Sequence, residues 1–247
     1  MWTTESLVII GLTFFIAGLV KGVIGLGLPT VSLAILTATL GLKPAMVLLL
    51  FPSFITNIWQ GLAGGAFLAL ARRLWTLLVA VCIATWFGVW ILARTDTALL
   101  SALLGVLIGV YAALNLIRPH VPKIGGKEIW LSPIVGGVSG VFTGMTGTFV
   151  FPGVLYLQAL ALRRDEFVQA MGILFTVSTA ALAASLGDNR LLSMELGTIS
   201  MGAIVPALVG MALGRKVRQG LSENIFRKVF FISLLILGVY IVLRSLL

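Results

Sequence analysis

The sequence predicts an all-α integral membrane protein made of two inverted-topology repeats, each of about five hydrophobic segments. Three observations carry this. Of 247 residues, 60% are hydrophobic and only 10% are charged, with a mean hydropathy of +1.14. A soluble domain carries about 25% charged residues, so this chain cannot furnish a polar coat. The apolar runs are long and continuous, unlike the roughly ten-residue alternation of barrel strands. A helix also satisfies its own backbone N–H and C=O groups in lipid. Finally, the two halves of the chain repeat one another.

Charges and turn residues mark off the segments in order. The first, 6–20, follows MWTTES, which lacks a basic n-region, so it is expected to remain in the mature protein. The second, 25–42, opens in GLVKGVIGLGLP (18–29), where one lysine sits among glycines ahead of Pro29. The third, 44–70, runs from Lys43 to Arg72 and Arg73, the fourth, 74–93, ends at Arg94, and the fifth, 97–117, lies between Asp96 and Arg118. A polar linker at 121–128 divides the repeats, 1–120 and 129–247. The sixth segment is 129–143. The seventh, 147–162, follows a second Gly-rich stretch, and Arg163 and Arg164 close it. The eighth, 167–187, the ninth, 191–214, and the tenth, 225–245, complete the set. A perpendicular span needs about twenty residues, which the third, fourth, fifth, eighth, ninth and tenth supply. The first and sixth, about fifteen residues each, reach roughly 22 Å at 1.5 Å per residue. The second and seventh are also short, so each short pair is either two spans or a re-entrant hairpin.

If the segments alternate direction, thirteen of the 17 Lys and Arg residues fall on one side and four (Lys43, Arg94, Arg190 and Arg244) on the other. The positive-inside rule places the rich side in the cytoplasm. The expected location is therefore the inner (cytoplasmic) membrane, multi-pass, with both termini extracytoplasmic. The formal charge of +9 reflects this distribution about the bilayer, and no nucleic-acid partner is expected. Cys82 lies in an apolar run and reads as a small buried hydrophobe. His120 sits in the polar linker region, and no Cys/His cluster has metal-ligand spacing. Neither a cofactor nor a metal is expected.

The repeat is visible residue by residue. GLVKGVIGLGLP aligns with GGVSGVFTGMTG (136–147), placing Gly22 on Gly140, Val23 on Val141 and, after one insertion, Gly25 on Gly144. Downstream, LGLKPAMVLLLFPSFITNI (40–58) aligns with LALRRDEFVQAMGILFTVST (160–179), with Phe54 on Phe175 and Asn57 on Ser178. Each copy has five segments, an odd number, so the second enters the membrane from the opposite side. Secondary carriers often have this plan, with the cargo held near the midplane by interrupted helices.

The Gly-rich first and sixth segments, the two-copy layout and the run GVSGVFTGMTGTFVFPGVLYL (137–157) resemble the TauE/SafE sulfite exporter family, also called the TSUP permeases. The resemblance spans nearly the whole chain. It implies a secondary carrier of sulfite, sulfoacetate or another organosulfonate. Typical members carry a richer glycine run of the form GxGGG in the second copy, where this chain reads TGMTGT (143–148).

Lys21 has two readings. A lysine at the bilayer centre costs about 2.5–3.5 kcal/mol on translocon scales, which a bound anion would offset. Alternatively, Lys21 ends the first segment and snorkels into headgroups. The glycines also divide into two groups. Gly61 and Gly65, Gly105 and Gly109, and Gly210 and Gly214 have the spacing of close helix packing. Gly22, Gly25 and Gly27 before Pro29, and Thr143, Gly144, Thr146, Gly147 and Thr148 before Pro152, have the composition of unwound, cargo-lining backbone. Freed N–H groups at a half-helix start attract anions. Asn57 and Gln60 in the third segment, with Ser178 in the eighth, either bond between helices or donate to the cargo. Glu195 is the one carboxylate placed within a segment. It is either a proton-coupling group or an interfacial residue.

Together these features point to alternating access by a carrier whose partners are a small anionic substrate, the lipid bilayer and a coupling ion, H+ or Na+. A homo-oligomer is left open. A permease for another small organic anion, or a subunit or channel needing a partner, is the competing reading. There is no HExxH motif, Cys–His pair or P-loop, so neither an intramembrane enzyme nor a self-contained ATP motor is expected.

Overall fold

A computed structural model describes residues 2–117, 124–218 and 223–246. His120 and residues 121–123 of the expected linker lie outside them. The elements are α1 (Thr4–Ile24), α2 (Leu28–Leu40), α3 (Leu42–Leu48), α4 (Leu50–Leu62), α5 (Phe67–Arg94), α6 (Thr97–Ile117), α7 (Glu128–Thr146), α8 (Gly153–Ala159), α9 (Arg164–Asp188), α10 (Met194–Gly202), α11 (Ile204–Val217) and α12 (Glu223–Leu246). A single 3-10 turn, Gly125–Lys127, leads into α7, and no strand occurs among the described residues. Among the described residues, seven helices, counting α10 with α11 as one, are long and apolar enough to cross a membrane. The number becomes eight if α3 and α4, bent by 43°, form one span. Large apolar side chains such as Leu12, Trp75, Ile83 and Ile236 are exposed, as lipid-facing positions require.

Several boundaries differ from expectation, each for a local reason. α1 is 21 residues long and carries Lys21 in its last turn, because a lysine covered by protein need not end a helix. α7 continues through its glycines to Thr146, because neighbouring packing outweighs glycine's helix cost of about 1 kcal/mol. The third segment stops at Leu62, before Gly64 and Gly65 turn with positive φ, and α5 starts at Phe67. The seventh segment is helical only over seven residues.

The chain divides into two compact units, and each draws on both halves of the sequence. One is Met1–Pro52, Asp96–Arg118 and Ser193–Leu247; the other is Ser53–Thr95 and Pro119–Leu192.

In the first unit α1 packs along α11, and α6 along α12. The α1–α11 crossing is glycine-mediated: a Cβ on Gly18 would strike the Ala207 carbonyl, and one on Gly22 the Met211 carbonyl and Gly214. Gly105 and Gly238 play the same part between α6 and α12. Such approaches recover van der Waals contact where lipid removes the hydrophobic drive.

Two prolines break helices in this unit. Pro52 lacks the N–H that Leu48 O would accept four residues earlier. Ser200 of α10 replaces it, donating from Oγ to Leu48 O at 2.7 Å, while Phe51 N donates to Ser200 Oγ at 3.2 Å. Pro206 stands at the third residue of α11, as Pro52 does in α4, and the helix is interrupted at Ala203 between α10 and α11.

In the second unit α7 lies against α5, and α9 packs on α5. Gly136 and Gly140 meet the Leu77 and Val81 carbonyls, and Gly144 meets Gly88. Gly61 of α4 crosses α9 at Gly172. Two glutamines hold that crossing: Gln60 Nε2 donates to Val168 O and Gln169 Nε2 to Gly61 O, both at 2.9 Å. Gln169 Oε1 also accepts from Ala66 N at 3.0 Å.

Candidate functional site

Each unit contains one helix break made by the repeated glycine motif. In the first unit, α1 ends at Gly25 (φ +86°), whose N–H donates to Lys21 O at 2.8 Å. Gly27 (φ +110°) follows, with Pro29 at the start of α2. Both conformations lie in the left-handed region, where a non-glycine residue costs about 1–2 kcal/mol. A Cβ on Gly25 would meet nothing within 4 Å, whereas one on Gly27 would touch Val20 and Phe230. Lys21 is only 5% exposed. Its side chain is covered by protein.

In the second unit, α7 ends at Gly147 (φ +75°), and residues 147–152 run without helix to α8. Threonines brace this break. Thr143 Oγ1 donates to Thr148 O at 3.0 Å, Thr146 Oγ1 to Phe142 O at 2.7 Å, and Thr148 N to Thr146 Oγ1 at 3.4 Å. Once those bonds are made, two hydroxyls remain uncommitted. Thr148 Oγ1 (residue 2% exposed) and Ser139 Oγ (3%) have no hydrogen-bond partner among the described residues. A Cβ on Gly153 would lie 3.3 Å from Ser139 Oγ, so Ser139 sits against the first residue of α8. A buried polar group without a partner costs about 1–3 kcal/mol.

The remaining sequence-predicted residues have varied surroundings. Gly22 and Gly144 are pressed against α11 and α5, so their immediate task is close packing. Gln60 commits an amide N–H to Val168 O. Asn57 is fully buried in α4 and Ser178 is buried in α9. Glu195 is exposed in the first turn of α10, where a carboxylate complements the helix dipole.

Sequence reasoning missed Ser139, Gln169 and Ser200. The signal for Ser139 was within the alignment that pairs Gly22 with Gly140: Ser139 falls on Lys21. Both copies therefore bury a polar side chain one residue before that glycine. Ser200 carried no signal, because its partner is a carbonyl freed by a proline 148 residues away.

The model of one protein family, Sulfite exporter TauE/SafE, matches residues 10–241. The chain belongs to that family. TauE/SafE proteins are membrane transporters rather than enzymes, and this member is a multi-pass membrane protein by both family and helix content. No curated protein and no solved structure gave a significant match. Within this TauE/SafE chain, each unit carries one glycine break, and uncommitted hydroxyls lie beside the second.

Proposed function

We propose that this protein is a secondary carrier of a small anionic sulfur compound, namely sulfite, sulfoacetate or another organosulfonate, across the cytoplasmic membrane, and that the break at Gly147 contacts the cargo. The observation that carries the reading is the pair of uncommitted buried hydroxyls, Thr148 Oγ1 and Ser139 Oγ, beside the break at Gly147. The oxygens of a sulfite or sulfonate accept hydrogen bonds and need donors. Each hydroxyl has one O–H to give, and giving it would relieve an unsatisfied group. Lys21 holds the place in the first copy that Ser139 holds in the second.

The same reading makes the sequence copies an inverted repeat working by alternating access. Its support is a recurring crossing. The first helix of each copy packs by glycines on the fourth segment of the other copy, α1 on α11 and α7 on α5. Gly18 and Gly22 meet the Ala207 and Met211 carbonyls, and Gly136 and Gly140 meet those of Leu77 and Val81. With the Lys/Arg-rich side inside, both termini face outward.

The test is uptake by liposomes holding the purified protein, with sulfite, sulfoacetate and simple carboxylates offered under imposed proton or sodium gradients. The reading expects gradient-driven accumulation of a sulfur oxyanion in preference to carboxylates. Selective carboxylate accumulation would instead favour the general organic-anion permease. Activity that appears only on adding a second protein would favour the subunit reading.

A further inference from the structure

At the end of the first unit where α2 and α12 finish and α6 begins, a cleft of about 350 Å³ opens. Its polar lining is Thr37, Thr39, Ser101, Arg244 and Ser245, with Gly41 at its edge. We infer that this cleft is a second, peripheral binding site for a small oxyanion, held by the Arg244 guanidinium and the Thr37 hydroxyl.

The inventory of donors points to that ligand. Thr39, Ser101 and Ser245 spend their single O–H protons on helix carbonyls, at 2.9, 2.8 and 2.7 Å to Ile35 O, Thr97 O and Ile241 O. Thr37 does not. Its Oγ1 is buried, the residue is 7% exposed, and it has no partner among the described residues. Arg244 offers a planar fork of five N–H donors, and no carboxylate or carbonyl accepts from it among the described residues. Asp96, at the start of α6, accepts from Ala98 N at 2.9 Å, and among the described residues it forms no salt bridge with Arg244. The ends of α2 and α12 contribute partial negative charge, so a cation here is needed before an anion can bind. A guanidinium and a threonine with an uncommitted hydroxyl, both on residues that line one cleft, suit sulfite, a sulfonate or a phosphate.

The same chemistry has two sources, a free solute and the phosphate of a lipid headgroup, and a cleft of this volume has room for the free solute. Use of the cleft as an outer port for the cargo rests on the transport reading above. Binding itself does not, and the test reads binding alone.

The full chain carrying Cys82→Ala and Ser245→Cys has one thiol, at the cleft. It is purified in maltoside detergent with lipid removed. That thiol is reacted with a sulfonate-bearing methanethiosulfonate and with its trimethylammonium counterpart, and the ratio of the two rates cancels any change in thiol acidity. The expected result is a preference for the anionic reagent that falls about tenfold with Arg244→Gln, the factor for one lost charge-assisted bond. Methanesulfonate should slow the reaction, and Thr37→Val, which leaves Arg244 in place, should weaken that protection. Protection seen only after adding phosphatidylglycerol would overturn the solute site in favour of a lipid phosphate. No protection by either would overturn the site altogether.

Discussion

Ser139 and Thr148 have a property that separates function from packing at the level of single residues. Their hydroxyls are buried with no partner among the described residues, so each lowers stability unless something else accepts or donates. Thr148→Val and Ser139→Ala are therefore expected to leave the unfolding midpoint in detergent unchanged or higher. The same substitutions should raise the KM for the transported anion about tenfold, the equivalent of one hydrogen bond of about 1.4 kcal/mol. A lower midpoint with unchanged KM would make these side chains structural. Thr143 and Thr146 should behave in the opposite way, because their hydroxyls brace the break.

At the level of helices, glycine spacing serves two tasks that look alike in sequence. Gly136 and Gly137 are adjacent in α7, yet a Cβ on Gly136 would meet the Leu77 carbonyl at 2.5 Å and one on Gly137 would meet nothing within 4 Å. Gly136→Ala is expected to lower the yield of folded protein on size exclusion. Gly137→Ala should be neutral or stabilise by about 0.5–1 kcal/mol through helix propensity. The break at Pro52 makes a second prediction. Ser200→Ala would strip Leu48 O and Phe51 N of their shared partner and cost about 1–3 kcal/mol, read as a lower midpoint in thermal unfolding. The order and apolar character of the segments were legible in the sequence because lipid demands long apolar helices. Their ends were less legible. Lys21 and the α7 glycines look like stops until α11 and α5 are seen to cover or pack against that stretch.

For the whole molecule, the two halves of the sequence and the two compact units are different divisions of one chain. Alignment alone could match Gly22 with Gly140, but it could not show that α1 would pack on α11 and α7 on α5. The class of the protein was legible from the glycine motifs and the family match agrees with it. The uncommitted hydroxyls were not legible, since a threonine that braces and a threonine that waits for a ligand share one letter. The most direct measurement is uptake of radiolabelled sulfite and sulfoacetate into liposomes holding either the native chain or Thr148→Val. The account predicts accumulation by the native chain under a proton or sodium gradient, and uptake by Thr148→Val that recovers only at higher anion concentration. No accumulation of any offered anion by well-folded native protein, under either gradient, would contradict it.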